Sequence, residues 1–155
     1  MKLFKQERPH WCGPAALVAL QVELGLTPYP QSAWAQAVGT TSKGTSVAAI
    51  KRGIRMIHPR GVCVVRKTSY PFAVGILHDP DRDHWMTARC RPPPRGTVMD
   101  SRTWVVKLID PEDGSVTRLK WPDFQARYLN TVKKSYVLCP RSSQPQVFFS
   151  VVTPW

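Results

Sequence analysis

A chain of 155 residues suits one hydrophobic core and leaves no room within it for a second full domain. Apolar residues make up 43% and charged residues 21%, the balance of an ordinary globular protein, which excludes wholesale disorder. Against 10 Asp and Glu stand 22 Lys and Arg, a formal net charge of +12, so the surface favours anionic partners without saying anything about the fold.

The chain opens with a short segment read as extended. Residues 15–24 (AALVALQVEL) are apolar nearly all round, the pattern of a helix buried at the centre of a domain. Gly25 stands where such a helix ends. A second, short helix is predicted over 31–38, and a third through Ile57, capped by Thr45 or Ser46. Val47, Ile50, Ile54 and Ile57 share one face of it, and Pro59 terminates it. From Gly61 onward the pattern changes to short β-rich runs between turn residues. Strands are predicted at 61–66, 71–77, 84–90, 104–110, 115–119, 135–139 and 146–152, with a short helix at 122–129 between them. Helices followed by an antiparallel sheet make an α+β domain, here over residues 1–155, with 91–103 as an exposed proline-rich insertion. The apolar end of the chain, 146–155, reads as an edge strand or a docking segment.

Four cysteines, at positions 12, 63, 90 and 139, form no CxxC pair and no zinc-ligand spacing. Cys63 and Cys139 read as small core residues in strands, which fits a reducing compartment. No run of residues has the character of a signal peptide or the ~18 apolar residues of a membrane span, which predicts a cytoplasmic protein.

Cys12 carries the clearest chemical signal. In WCGPAAL it opens the buried helix, where unpaired N–H groups and the helix dipole favour a thiolate, and proline is tolerated just behind it. The same residues also suit an inert cysteine beside a turn. A nucleophilic thiol needs a base. Of four histidines, His10 lies too near Cys12 in sequence to fold back on it easily, His58 sits at a helix end, and His78 lies in the turn-like HDPDRD. His84 begins the apolar strand HWMTAR and has the most rigid mount. If strands 84–90 and 104–110 pair so that 90 faces 104, then His84 faces Asp110, which accepts from one imidazole nitrogen while the other meets Cys12. A one-residue slip would turn the partner away, leaving Asp100 and Asp113 as fallbacks. Gln6, six residues before Cys12, is placed to join the Cys12 N–H in holding an oxyanion.

Gln6, then Cys12-Gly13-Pro14-Ala15-Ala16, PFAVGIL, His84-Trp85, and Ile109-Asp110-Pro111 with Gly114 beyond resemble the papain-like cysteine peptidases. The likeness is greatest to the C39-like group related to bacteriocin-processing peptidases, and it covers residues 3–130. The resemblance implies a papain-like fold with Cys12, His84, Asp110 and Gln6 as nucleophile, base, orienting residue and oxyanion donor. It also implies hydrolysis of a peptide or isopeptide bond through a thioester, with no metal or organic cofactor. The interval from His84 to Asp110 is longer than that group's pattern, because of the proline-rich insertion. Stand-alone relatives of this kind occur in bacteria and phages, which adds a virion-associated setting to the cytoplasmic one. Two other functions compete with the peptidase: a deamidase or acyltransferase using the same triad, and a catalytically silent basic module. The expected partner is a peptide or protein substrate, and the basic surface admits an anionic partner or a protein assembly. Nucleic acid ranks below these, since no aromatic-basic recognition motif is visible.

Overall fold

The apolar run after Trp11 folds as α1 (Cys12–Glu23), buried from Gly13 through Gln21. Gln21 keeps its polar end satisfied inside the core, accepting from the Trp34 indole (2.8 Å) and the Tyr29 N–H (2.9 Å). Next come α2 (Gln31–Val38), closed by left-handed Gly39, and α3 (Val47–Ile57), whose Ser46 cap accepts from the Ala49 N–H. The computed structural model describes residues 4–65, 71–79, 82–93, 100–129 and 136–141, without the side chains of Cys63 and Val65.

The remaining described elements are β1 (Val62–Val65), β2 (Val74–Asp79), β3 (His84–Arg91), β4 (Val105–Asp110), β5 (Ser115–Lys120), α4 (Trp121–Phe124) and β6 (Tyr136–Pro140). A π-type turn, Gln125–Leu129, continues α4. The strands form one sheet in the order β1-β6-β2-β3-β4-β5, every pairing antiparallel. Alternation sends Val74, Ile76, Trp85 and Leu138 to a core shared with α1, α2 and α3. The opposite set, including Leu77, Met86, Ala88, Cys90, Val106 and Leu108, packs with Trp104, Trp121, Phe124 and Tyr128 in a second core. N-terminal helices therefore cover one sheet face, as expected, and the α4 segment covers the other.

Strands β3 and β4 form the expected pair with a different register. Cys90 faces Val106, two residues from the anticipated Trp104. Side chains alternate with a period of two, so this slip leaves His84 and Asp110 on one face, as diagonal neighbours within side-chain reach. The expected strand at 146–152 lies outside the described residues. So do positions 94–99 of the proline-rich insertion, whose far end is a 3-10 turn, Ser101–Thr103, capped by Asp100.

Candidate active site

Cys12 is the first residue of α1, partly exposed, and the first helical hydrogen bond runs from the Ala15 N–H to the Trp11 carbonyl (2.9 Å). The N–H groups of Cys12 and Gly13 precede that bond, and Pro14 has none to leave unpaired. Gly13 is required sterically, because a Cβ there would run into the Thr45 side chain. Thr45 is itself held by the Trp85 indole, which donates to its carbonyl (2.9 Å), and by a hydroxyl contact with Thr40 (2.8 Å). The glycine thus lets the turn bearing the thiol pack flush against the loop before α3.

His84 opens β3 with 9% of its surface exposed, behind Asp83, which takes a left-handed backbone (φ 47°). The imidazole Nε2 lies 2.7 Å from Asp110 Oδ1, and Cys12 lies near enough to the ring to act on its charge. Burial alone would lower the pKa of His84, but the hydrogen bonds and charges of Asp110 and Cys12 outweigh it and raise the value to about 9.

Asp110 ends β4. Its Oδ1 also accepts from the Glu112 N–H (3.0 Å), and its Oδ2 accepts from Arg82 (3.1 Å). Burial would raise its pKa; His84, the Glu112 N–H and Arg82 together hold it well below the ordinary carboxylate range. Asp110 is thus a turn residue and the partner of His84 at once. Arg82, which sequence reasoning passed over, also binds Asp79 (3.2 Å) and Glu112 (2.9 Å) and so gathers three carboxylates. Its signal was its place in HDPDRD, but three partners 3 to 30 residues away are visible only in the fold.

The segment before Cys12 is a series of turns and bends, a departure from the extended start read in the sequence. Buried Gln31 of α2 pins it, accepting from the Glu7 N–H (2.9 Å) and donating to the Lys5 carbonyl (2.8 Å). The Gln6 N–H donates to the Pro111 carbonyl (2.7 Å), which ties this segment to the turn carrying Asp110. The Gln6 side chain shares the Cys12 cleft, but its Nε2 donates to the carbonyls of Arg8 (3.1 Å) and Pro9 (2.9 Å), and its buried Oε1 has no partner among the described residues.

The cleft, about 300 Å³, is polar and lined by residues that include Gln6, His10, Cys12, Lys43, Arg82 and His84. His10 thus lines the same cleft as Cys12. His78 is on β2 rather than in an exposed turn, its ring packed between Trp85 and Tyr136 with centroids 4.7 and 5.5 Å away. The fallback acids serve elsewhere: Asp100 pairs with Arg102, and Asp113 accepts from the Ser115 N–H (2.8 Å). Among the described residues, His84, Asp110 and Glu112 stand close enough to share a cation. Their acceptors already face one another and the Arg82 guanidinium, so this donor set is committed without one.

No protein-family model matches the sequence, and no curated protein does. Among solved structures, the peptidase domain of Streptococcus ComA, a bifunctional ABC transporter of a quorum-sensing pathway, matches with a TM-score of 0.54 at 19% identity. The match covers 94% of this chain and 98% of that domain. Among the described residues, no helix is long and apolar enough to cross a membrane. The chain has the α+β, papain-like fold of that peptidase domain.

Proposed function

We propose that this protein is a C39-like cysteine peptidase that cleaves a peptide or isopeptide bond through a Cys12–His84–Asp110 triad. One observation carries the reading: the imidazole that holds Asp110 shares a cleft with the thiol at the start of a buried helix, which acts on its charge. In this mechanism Cys12 Sγ attacks the substrate carbonyl carbon, and the oxygen takes the negative charge. Collapse breaks the C–N bond while His84 donates its proton to the departing amine. His84 then takes a proton from water, which adds to the thioester; collapse breaks the C–S bond, releasing the acid and restoring the thiolate beside the protonated His84. The Cys12 N–H serves the oxyanion, joined by Gln6 when one Nε2 hydrogen turns from a neighbouring carbonyl to the substrate oxygen.

The test is alkylation of the thiols across pH 5 to 9, read by mass spectrometry in wild type and His84→Ala. Cys90 and Cys139 are fully buried, so exposure by itself favours labelling of Cys12 over these two. The diagnostic is therefore rapid labelling at pH 5 to 6 that disappears in the variant. Labelling that tracks an ordinary thiol in both proteins sinks the proposal. Intact masses of candidate substrates then separate cleavage from deamidation (about one dalton gained) or acyl transfer (an adduct).

A further inference from the structure

On the helix-side face of the sheet, beyond the end of α1, the register stacks like charges. Arg89 faces Lys107, and Lys107 faces Arg118; one step along, Arg91 and Lys120 flank Val105. Like charges directly opposed across strands destabilise a sheet, so this arrangement works against folding. Among the described residues, Arg89, Arg91, Lys107 and Arg118 line a cavity of about 220 Å³ with a single acid, Glu23, a net charge of +3. Glu23 is 5% exposed at its side chain and binds both Arg89 (2.7 Å) and Lys107, which fixes two of the cations. Among the described residues, Arg91, Arg118 and Lys120 have no ion-pair partner. Protection of an edge strand by charge accounts for Arg118 and Lys120 on β5. It does not account for Lys107 or the two arginines, one and two strands further in. Among the described residues, no aromatic side chain lines the cavity to stack on a base.

We propose that this cavity is a binding site for clustered phosphate groups, with Arg91 and Arg118 as free donors and Arg89 and Lys107 held in place by Glu23. Two sources share that chemistry, a free polyphosphate and the backbone of a nucleic acid.

The test measures inorganic tripolyphosphate by calorimetry and a labelled oligothymidylate by anisotropy. It uses wild type, Arg91→Gln/Arg118→Gln, and the equal-charge control Arg55→Gln/Arg60→Gln, whose residues are exposed and lie elsewhere on the fold. The cavity pair should lose at least tenfold in affinity and the control less than twofold, with unfolding midpoints unchanged. For the oligonucleotide, the slope of log affinity against log salt, between about 50 and 200 mM, should fall by roughly 1.4 when two contacts are removed. Displacement of the oligonucleotide by tripolyphosphate supports a compact polyphosphate ligand; binding of the oligonucleotide alone supports the backbone. Equal losses in the two pairs, competition by polyglutamate as strong as by tripolyphosphate, or no binding of either phosphate probe at the lower salt would each overturn the site.

Discussion

At the scale of single residues, the chemistry turns on what surrounds His84. Its raised pKa keeps the ring protonated to about pH 9, so in the proposed mechanism the proton owed to a leaving amine is in place through neutrality. Activity should therefore fall on the alkaline side near pH 9. Asp110→Asn removes a charge and a hydrogen bond that raise this pKa, so the alkaline limb should move toward the ordinary value of 6.5 and kcat/KM should drop by roughly 10²- to 10⁴-fold. A pH–rate profile checks both effects; an unmoved limb in the variant would mean Asp110 does not govern the base. Arg82 acts one step back, holding Asp110 Oδ2 and leaving Oδ1 to the imidazole and the Glu112 N–H.

At the scale of elements, the site depends on how closely α1 approaches the loop before α3. Gly13→Ala would drive a methyl group into Thr45, which Trp85 and Thr40 hold from the other side. Overpacking of this kind costs about 1–3 kcal/mol, and here it also tilts the turn that aims the thiol. The expected result is that loss of stability in urea unfolding together with at least tenfold slower low-pH labelling of Cys12. Gly13→Ala/Thr45→Gly should restore most of both, and failure of that rescue would remove Thr45 from the explanation. The β3–β4 pair shows what tolerates error at this scale: a register two residues from the expected one preserves the face and so the His84–Asp110 pair.

At the scale of the whole molecule, charge is polarised along the strands. Asp79, Asp83, Asp110, Glu112 and Asp113 gather in the two turns at the thiol end, while Arg89, Arg91, Lys107, Arg118 and Lys120 lie toward the other. Helix α1 joins the ends, with Cys12 at its start and Glu23 at its finish, roughly 17 Å apart. The His84–Asp110 pair also links global stability to pH. His84 is raised on folding, so its contribution is complete below about pH 6.5 and is lost as pH rises through about 9. Asp110 is lowered, so its contribution is present above its ordinary value of 3.8 and is lost as pH falls through its lower folded value. Between pH 7 and 10 the thermal midpoint should fall by roughly 5–10 °C more in wild type than in His84→Gln. Parallel curves for the two proteins would show that the pair adds nothing to stability.

Much of this molecule was legible in its sequence because the relevant signals are local. A buried helix announces itself in AALVALQVEL, α2 falls at 31–38 as read, and Ser46 caps α3, since caps and apolar periods act over a few residues. The placement of Cys12 on α1, and of His84 and Asp110 on one sheet face, follows from periods of 3.6 and two. Other features depend on side chains far apart in sequence and were settled only by packing. Gln31 and Pro111 pin the segment carrying Gln6, Arg82 collects its three carboxylates, and Glu23 meets Lys107 across 84 positions. No periodicity encodes such meetings, because they are fixed by which faces a whole sheet must cover, and here two cores on opposite faces bring them about.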